Sequence, residues 1–513
     1  MSLPAFGLIA DCIRAHGCTT PHHPALREGG PREGRQLTYA QLDAAMDSVA
    51  ASLQRDGLKP GDAIATCALN SVDHAVVFLG ALRAGVVVAP LAPGAGTPSL
   101  RRMAEDAQAR LLLADESLDE GAIALPRIAI GPQRTRAPGR SLESWLLPAG
   151  AQPKPVKIAP DAPFNIIYSS GTTGEPKGIV QPHSMRWAHV TRASRYGYGT
   201  RTVTLLSTPL YSNTTLVVFF PTLAFGGCVA LMHKFDARSY LELAEALRVT
   251  HTMLVPVQYR RIMALPEFDG FDLSSFEVKF STSAPFSAEL KADVLQRWPG
   301  GLVEFYGMTE GGGTCILEAH LHPNKLYTVG HPAEGHDIRL IDEQGREVAP
   351  GDAGEVVGHS GGMMKGYHRQ PQKTREAEWF APDGKRFIRT GDIGRFDADG
   401  FLTLFDRRKD MIISGGFNIY PSDLEAVLRQ HAAVDDVSVV GVPSEEWGET
   451  PVAFVVRKAG RADSADAIRQ WANAQVGKTQ RISGLRFIAE LPRSAIGKVL
   501  KRELRDLWAT QQV

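Results

Sequence analysis

The segment from Tyr168 to Gly178 combines glycines, hydroxyl side chains and a lysine directly after the apolar run 164–167. Glycines let backbone N–H groups approach an anion closely, and Ser and Thr hydroxyls add neutral donors. Lys177 supplies a positive charge. The segment therefore predicts a phosphate-binding loop whose members are Ser169, Ser170, Gly171, Thr172, Thr173, Gly174 and Lys177.

This loop differs from the Walker type of nucleotide-binding loop. The Walker motif requires Gly-x-x-x-x-Gly-Lys-Ser/Thr. Counting from Gly171 puts Pro176 at the second glycine position and Gly178 at the position of the magnesium-binding hydroxyl. We therefore expect neither a kinase nor a GTPase.

The elements that position this loop follow an α/β pattern. Up to about residue 400, short apolar runs alternate with amphipathic helical patterns, which is typical of layers with helices on both faces of a sheet. The predicted strands are 63–67, 86–89, 110–113, 165–168, 253–255 and 278–280, and the predicted helices are 42–53, one that reaches residue 82, and 240–248.

The pattern changes after Asp392, where a turn at 397–400 precedes strands at 401–405 and 411–414. The polar run 406–410 between these strands is typical of a linker. Beyond it, Ser422 and Glu425 have the spacing of a helix capping box, and strands are predicted at 437–440 and 452–456. We expect an N-terminal domain of residues 1–407 and a small α+β domain of residues 408–513.

Composition excludes several functional classes. The 513 residues contain 56 Lys and Arg and 56 Asp and Glu, so the formal net charge is zero and no basic excess favours nucleic acid. The five cysteines are scattered and form no Cys-x-x-Cys pair, which indicates neither a disulfide framework nor a zinc site. We expect a chain that works in a reducing cytoplasm.

One uncharged stretch, 202–232, is long enough to span a bilayer. Pro209, Pro221 and the Gly226-Gly227 pair interrupt it, so short buried segments at 216–220 and 228–232 are the better interpretation. The N-terminus also lacks the basic leader of a signal peptide. We therefore expect no stable membrane insertion and no export.

Six motifs in order resemble those of the acyl-adenylate-forming superfamily, which includes acyl- and aryl-CoA synthetases, luciferases and peptide-synthetase adenylation domains. Beside the loop at 168–178, they are Tyr306-Gly307-Met308-Thr309-Glu310, the run from Gly354 through Gly366-Tyr367 to Thr374, Thr390-Gly391-Asp392, the segment 406–416 and the element from Pro492 to Gly497-Lys498. Together they extend over residues 168–498.

The resemblance implies both a fold and a reaction. The fold is α/β, with a large N-terminal domain of two layered α/β subdomains plus a small β subdomain, and a small mobile α+β C-terminal domain. In the implied reaction, a carboxylate and MgATP give acyl-AMP and pyrophosphate, and CoA then gives the thioester and AMP. ATP, Mg²⁺ and CoA are thus the expected small molecules.

The resemblance also assigns nucleotide-site residues. Lys177, Mg²⁺ and Lys498 would offset the repulsion between carboxylate and α-phosphate. Glu310 would hold the magnesium and Thr309 would donate to the α-phosphate. The further nucleotide contacts it implies are Tyr306 and Gly307 at the adenine, Ala284 in a Ser-Ala-Pro run where the family often has Gly-Gly-Ala-Pro, Asp392 at the ribose, and Arg407 at ribose or phosphate oxygens.

The same resemblance assigns Lys409 as the hinge about which the small domain rotates between the two steps. After rotation, a loop containing Ser414, Gly415 and Gly416 would replace Lys498 and form a tunnel for pantetheine. Trp447 and Arg481 would contact the CoA nucleotide, although Gln480-Arg481-Ile482 stands where related ligases have Lys-x-Pro.

The acid pocket is assigned to Tyr211, Ser212 and Asn213, with Ser212 in place of a common histidine. No Asp, Arg or Lys lies in residues 202–232, which argues against an amino acid and against a second substrate carboxylate. The run 311–313 is triple glycine, for which two interpretations stand: room for an aromatic ring or a medium acyl chain, or a mobile loop.

The sequence therefore predicts an ATP-dependent carboxylate–CoA ligase for an aromatic, cyclic or short-to-medium-chain fatty acid. One alternative is a stand-alone adenylation enzyme that loads a carrier-protein phosphopantetheine, and another is a nucleotide-binding protein without turnover. The expected partners are small molecules and no nucleic acid. A second copy of the chain and an acetyltransferase acting on Lys498 are candidate protein partners.

Overall fold

The computed structural model describes residues 4–30, 34–119, 121–131, 139–169, 177–407, 410–414, 417–445, 447–477, 480–494 and 497–510. Its helices are α1 (Ile9–Thr19), α2 (Tyr39–Arg55), α3 (Val72–Arg83), α4 (Thr97–Asp106), α5 (Leu142–Trp145), α6 (His183–Ala193), α7 (Asn213–Ala224), α8 (Ala237–Ala246), α9 (Pro256–Met263), α10 (Ala288–Arg297), α11 (Pro371–Glu376), α12 (Pro421–Arg429), α13 (Ala465–Asn473) and α14 (Lys501–Thr510).

The strands are β1 (Pro24–Glu28), β2 (Gln36–Thr38), β3 (Ala63–Cys67), β4 (Val87–Leu91), β5 (Ala109–Ala114), β6 (Arg127–Ala129), β7 (Arg140–Ser141), β8 (Pro163–Ser169), β9 (Lys177–Pro182), β10 (Val203–Leu206), β11 (Cys228–Leu231), β12 (His251–Leu254), β13 (Val278–Ser281), β14 (Gly301–Gly307), β15 (Thr314–Glu318), β16 (His331–Pro332), β17 (Asp337–Ile341), β18 (Gly354–His359), β19 (Gly366–Tyr367), β20 (Glu378–Phe380), β21 (Arg386–Phe396), β22 (Leu402–Arg407), β23 (Ile412–Ser414), β24 (Phe417–Ile419), β25 (Val434–Ser444), β26 (Gly448–Arg457) and β27 (Gly484–Phe487).

Within the described ranges these strands form four sheets. The largest has the order β16-β15-β14-β13-β12-β10-β11-β1-β2, and the second has the order β19-β9-β8-β4-β3-β5-β6-β7. A smaller sheet runs β17-β18-β21-β20 with β22 also paired to β21, and another runs β24-β23-β26-β25 with β27 paired to β26.

Parallel pairing dominates the centres of the two large sheets. Strands β10 to β14 pair in parallel, and so do β3, β4 and β5. Every residue of β3, β4, β10 to β13 except Val203 is buried, as expected for strands covered by helices on both faces. The α/β layers predicted from the sequence are confirmed.

The chain divides into two compact units. The first consists of Met1–Tyr327, Pro332–Asp337 and Gly358–Ile388, and the second of Thr328–His331, Ile338–Val357 and Arg389–Val513. The boundary predicted between residues 407 and 408 lies in the last stretch of the second unit, and it stays a prediction.

The sheet of β23 to β27 in the second unit has an apolar core on each face. Val437 and Val439 pack with Leu424 of α12 and Ile468 of α13. Val440 and its neighbours pack in a separate core with residues of α14. Because successive strand residues point to opposite faces, one apolar strand serves both cores. This is the small α+β region that the sequence predicts.

The capping box predicted at Ser422 is wrong. Helix α12 begins at Pro421, its N-cap is Tyr420, and no side chain caps it. Proline suits a first helical position because its missing N–H would have no intrahelical partner there. Glu425 instead accepts a hydrogen bond from the backbone N–H of Val439 at 2.9 Å, so it joins the helix to β25.

The uncharged stretch 202–232 folds as β10, α7 and β11, as the predicted short buried segments require. No helix among the described residues is long and apolar enough to cross a membrane.

We expect Gly80→Ala to lower the midpoint of thermal unfolding. A Cβ at Gly80 in α3 would lie 2.5 Å from the Cβ of Val49 in α2. Overpacking of this kind costs about 1–3 kcal/mol, which exceeds the gain of about 1 kcal/mol in helix propensity. Gly270→Ala is the control, because a Cβ there meets no atom within 4 Å. A Gly80→Ala protein as stable as the parent would contradict this packing.

Candidate active site

Four adjacent parallel strands, β10, β12, β13 and β14, end at one edge of the nine-stranded sheet. The chain that follows them carries predicted site residues: 211–213 after β10, Ala284 after β13, and Tyr306 with Gly307 at the end of β14. Open α/β sheets bind ligands at the carboxyl ends of their parallel strands. The fold thus brings the predicted acid-pocket and adenine segments to the same edge.

A hydrogen bond joins two of these segments directly. The hydroxyls of Thr214, in the first turn of α7, and Ser283 are 2.6 Å apart. Ser283 has a φ of 82°, in the left-handed region that favours glycine. Serine therefore adopts a strained backbone at this position and makes a hydrogen bond that glycine would lack.

The predicted acid-pocket residues Tyr211, Ser212 and Asn213 lead into α7. Ser212 is its N-cap, and its hydroxyl accepts a hydrogen bond from the N–H of Thr214 at 3.3 Å. Tyr211 is half-buried, and burial raises the pKa of its phenol. Ser212, the serine in place of a common histidine, thus caps the N-terminus of the helix.

Lys177 begins β9, and Ser169, which ends β8, is its antiparallel partner. The predicted phosphate loop therefore connects two paired strands. Ser169 is described only as a strand position, whereas Ser170, Gly171, Thr172, Thr173 and Gly174 lie outside the described residues. Gly178 has a packing reason, because a Cβ there would lie 2.9 Å from Ile166.

Tyr367 joins Lys177 to Glu310. Strand β19 pairs with β9 so that Tyr367 lies opposite Ile179. The Nζ atom of Lys177 is 5.0 Å from the centroid of the Tyr367 ring, and the Tyr367 hydroxyl donates to Oε1 of Glu310 at 2.8 Å. Burial, together with the Glu310 carboxylate, raises the pKa of Tyr367, so the phenol stays a donor.

Thr309 lies beside the same strand. The side-chain amide of Gln181, in β9, donates to the carbonyl oxygen of Thr309 at 2.7 Å. Thr309 and Glu310 lie in the turn between β14 and β15, which the hydrogen bond from the N–H of Gly311 to the carbonyl of Met308 closes at 3.0 Å. Hydrogen bonds therefore hold both the backbone carbonyl of Thr309 and the carboxylate of Glu310.

The glycines that follow Glu310 have packing reasons. A Cβ on Gly311 would lie 2.2 Å from the carbonyl oxygen of Gly362, and one on Gly312 would lie 2.5 Å from the Cβ of Ile388. Gly313 has a φ of 91°. Close backbone packing explains Gly311 and Gly312, and the positive φ angle explains Gly313. These glycines are therefore explained without a role in making room for the acid.

A polar network that the sequence reasoning missed lies beside this turn. Arg186 of α6 is fully buried, and its guanidinium donates to Oδ1 of Asn165 at 3.1 and 3.2 Å and to Oδ1 of Asn213 at 2.8 Å. It also donates to Oε1 of Gln181. Desolvation lowers the pKa of Arg186 to about 9. Asn213, a predicted pocket residue, thus shares a network with the residue that holds Thr309.

Sequence reasoning assigned no role to Asn165, Gln181, Arg186 or Tyr367. Asn165 and Gln181 lie within the largely apolar strands β8 and β9, and both are fully buried. Two amides at inward positions of neighbouring strands indicate a buried hydrogen-bond network, because buried polar groups need partners. Arg186 gives no comparable signal in the sequence, because its helix also carries His183, His189 and Arg192.

In the second unit, Asp392 lies directly opposite Arg407 in the pairing of β21 with β22. The Thr390 hydroxyl donates to the carbonyl of Val356 at 2.9 Å and accepts from the N–H of Asp392 at 3.0 Å. Gly391 has a φ of 73°. The register brings the two predicted ribose contacts together along the backbone, and Arg407 is described only as a strand position.

Lys498 lies in a turn before α14, which begins at Lys501. Its carbonyl accepts from the N–H of Ser494 at 2.8 Å, and Arg493 bridges Val499 across the turn. The Arg493 guanidinium binds the Gly497 carbonyl at 2.7 Å and Asp436 at 2.6 Å. The turn that carries Lys498 is therefore tied to β25.

Of the predicted CoA contacts, Ser414 pairs with Gly448, the residue after Trp447. Ser414 is buried, whereas the Trp447 side chain is 52% exposed. Arg481 is exposed as well, and no contact among the described residues joins it to Trp447. Gly415, Gly416 and the predicted hinge Lys409 lie outside the described residues.

Glu310 fits a role as a magnesium ligand. Its Oε1 accepts from Tyr367, and no described residue donates to Oε2. Among the described residues, no three His, Cys, Asp or Glu side chains form a dedicated metal site. Mg²⁺ commonly binds one or two carboxylates together with nucleotide phosphates, so one glutamate fits a metal that arrives with ATP.

Comparison with known proteins identifies the class. The family model for the AMP-binding enzyme matches residues 13–368, and that for the AMP-binding enzyme C-terminal domain matches residues 423–498. A feruloyl-CoA synthase from Amycolatopsis sp. is 33% identical over 95% of this chain and 96% of its own. A fatty acid–[acyl-carrier-protein] ligase, ScoC, from Streptomyces coeruleorubidus is 32% identical over 92% of both chains.

A solved structure supports the same class. The crystal structure of ATP-bound MatB from Rhodopseudomonas palustris superimposes with a TM-score of 0.85 at 28% identity, covering 97% of this chain and 99% of that one. The chain belongs to the AMP-binding enzyme family. It is an AMP-forming acid–thiol ligase, a class that uses ATP, Mg²⁺ and CoA.

We expect Tyr367→Phe to slow acid-dependent pyrophosphate release by about tenfold or more, because the phenol's hydrogen bond to the Glu310 carboxylate is lost. The measurement is kcat/KM for ATP at saturating acid.

Tyr240→Phe is the matched control. It removes a buried hydroxyl bonded to Thr252 at 2.7 Å, away from the predicted site residues. The control should lose thermal stability and keep its kcat/KM. Equal rates for Tyr367→Phe and the parent enzyme would mean that the phenol does not hold Glu310 in its working position.

Proposed function

We propose that this chain converts a carboxylic acid with an uncharged tail into its CoA thioester in two steps. In the first, a carboxylate oxygen attacks the α-phosphorus of ATP, the bond to the bridging oxygen breaks and pyrophosphate leaves. In the second, the CoA thiolate attacks the carbonyl carbon and AMP leaves. The observation that carries the proposal is the Lys177–Tyr367–Glu310 arrangement beside the held Thr309.

The first step needs positive charge and donors around the phosphates, because two anions must meet. We assign Lys177 and Lys498 as the cations, Thr309 as a donor to the α-phosphate and Glu310 as the magnesium ligand. When bound, Mg²⁺ neutralises charge on the phosphate oxygens.

The remaining nucleotide contacts extend this assignment. We place residues 169–174 at the phosphates, Ala284, Tyr306 and Gly307 at the adenine, and Asp392 with Arg407 at the ribose. A carboxylate can accept from two ribose hydroxyls, and the pairing of Asp392 with Arg407 on adjacent strands supports their joint role.

The acid pocket is assigned to residues 211–213 at the start of α7, beside the strand ends where the adenine segments lie. The uncharged run 202–232 favours an acid without a second carboxylate or an amino group. An aromatic, cyclic or short-to-medium-chain fatty acid meets this condition, and the similarity to a feruloyl-CoA synthase supports including an aromatic acid.

The second step is assigned to the C-terminal domain, residues 408–513. Lys409 would be its hinge, and the segment from Ser414 to Gly416 would line the path of pantetheine. Trp447 and Arg481 would meet the CoA nucleotide. The Trp447 side chain is 52% exposed, so its ring is accessible to a ligand.

Loading of a carrier-protein phosphopantetheine is the second candidate, and the similarity to the ScoC ligase favours keeping it. Free CoA and a carrier protein present the same thiol, so the acceptor must be tested directly. A nucleotide-binding protein without turnover, the third candidate, would release no AMP with any acid.

Three finer assignments complete the proposal. We place the enzyme in the cytoplasm, treat a homodimer as its candidate assembly, and treat Lys498 as a candidate target of a protein acetyltransferase. Acetylation would remove the charge of Lys498 and with it the first step.

We expect one acid of an aryl, cyclic and straight-chain panel to give CoA-dependent AMP release from MgATP. Lys498→Ala should lower acid-dependent pyrophosphate release by about 100-fold, the usual scale for removing one preorganised charge-stabilising group. The variant should still convert supplied acyl-AMP with CoA to thioester.

Lys458→Ala, at an exposed position in the same unit, is the control and should match the parent in both steps. Accumulation of acyl-AMP that free CoA does not consume would move the proposal to carrier loading. Absence of pyrophosphate release with every acid would contradict adenylation.

A further inference from the structure

Arg186 is a buried cation with no acidic partner among the described residues. Its side chain is fully buried in α6, and every hydrogen-bond acceptor it has among the described residues is an amide oxygen. The Phe164 and Phe220 rings, 5.8 and 5.9 Å from the guanidinium carbon, complete its surroundings. Burying a charge in this way is costly.

Two other buried cations of the first unit have acidic partners. Arg83 pairs with Asp43 and Asp47, and Lys291 pairs with Glu304. These ion pairs offset the cost of burying the two cations. The Arg186 guanidinium instead donates to three neutral amides. Its main structural effect is therefore to fix the orientation of those amides.

A guanidinium can only donate, so it dictates which end of each neighbouring amide faces it. The oxygens of Asn165, Gln181 and Asn213 must all point to Arg186. Asn165 also donates to Oε1 of Gln181 at 3.0 Å. Both acceptor sites of that oxygen are thereby occupied.

The amino groups of two amides are then turned outward from the guanidinium. Nε2 of Gln181 donates to the Thr309 carbonyl at 2.7 Å and to Oδ1 of Asn213 at 3.3 Å. Oδ1 of Asn213 is taken by Arg186 and Gln181, and its amino group has no acceptor among the described residues. Asn213 begins α7 and is only half-buried.

We propose that Arg186 is a positioning residue for adenylation, which holds the Thr309 backbone through Gln181 and turns the Asn213 amino group toward the bound acid. The inference rests on the proposed roles of Thr309 and of the pocket at 211–213. One rigid network thus fixes a group assigned to the α-phosphate and a group assigned to the acid, the two reactants of the first step.

The position of these groups matters because reacting atoms must be held in near-attack geometry, and small displacements lower the rate strongly. Loss of the guanidinium frees the Gln181 amide to rotate, so the Thr309 carbonyl loses a fixed donor. It also frees the Asn213 amide to present its oxygen where it had presented its amino group. We therefore expect both kcat and the KM for the acid to change.

The test compares Arg186→Met with Arg186→Lys, Asn213→Ala and the double variant Arg186→Met/Asn213→Ala. Arg83→Met is the control for lost stability, because Arg83 is a buried arginine of the same unit with acidic partners. For each folded protein, kcat and the KM values for acid and ATP are measured by acid-dependent pyrophosphate release. Hydrogen exchange of peptides covering Thr309 and Asn213 is measured in parallel.

For Arg186→Met we expect kcat to fall by about tenfold or more and the KM for the acid to rise several-fold, the scale of losing hydrogen bonds from a charged donor. Adding Asn213→Ala should raise the KM no further, because Arg186 acts through that amide. Arg186→Lys keeps the charge without the planar fork and should recover only part of the loss. Exchange should rise at both peptides.

Arg83→Met should lower the unfolding midpoint and leave kcat and KM unchanged. If Arg186→Met behaves like this control, the residue serves stability alone and the inference is overturned. If the parent enzyme itself adenylates no acid, the proposed function fails. The exchange data then still decide whether Arg186 orders the Thr309 and Asn213 segments, since unchanged exchange at both peptides overturns the inference by itself.

Discussion

The register of β9 between β8 and β19 is the constraint on which the proposed adenylation site depends. Cross-strand pairs in a sheet point to the same face, and so do residues two apart along one strand. Lys177 and Gln181 therefore share a face with Tyr367, which lies opposite Ile179, and with Asn165, which lies opposite Gln181. A slip of one residue would move Lys177 and Gln181 to the other face.

This shared face explains why a short antiparallel segment matters in a sheet that is otherwise largely parallel. The phenol and the amide both bond to one turn, the one that carries Thr309 and Glu310, and the Lys177 ammonium lies near the phenol ring. That turn belongs to a different sheet. Hydrogen bonds from β9 and β19 therefore fix the position of this turn relative to the sheet that contains β9. The closely packed glycines after Glu310 let the turn lie near enough to form these bonds.

The sequence predicts the α/β layers well because buried parallel strands are read directly from apolar runs, as at 63–67, where prediction and structure coincide. Local signals mislead where a stronger backbone preference competes: Pro421 starts α12 before Ser422 can cap it. The motif residues are read from types and spacing, whereas the Arg186 network is not. Its members come from β8, β9, α6 and α7, and only the folded chain brings them together.

The enclosure of Arg186 also bears on what the acid pocket can select. A guanidinium exposed to the pocket would attract a second substrate carboxylate, but this one is fully buried and its bonds go to amide oxygens. The group that we propose to face the acid is the amino group of Asn213, a neutral donor. Neutral donors discriminate by hydrogen-bond geometry, and they carry little of the Coulomb energy that an ion pair would supply. In the proposed arrangement, a cation held behind an amide thus orders the site for an acid with an uncharged tail.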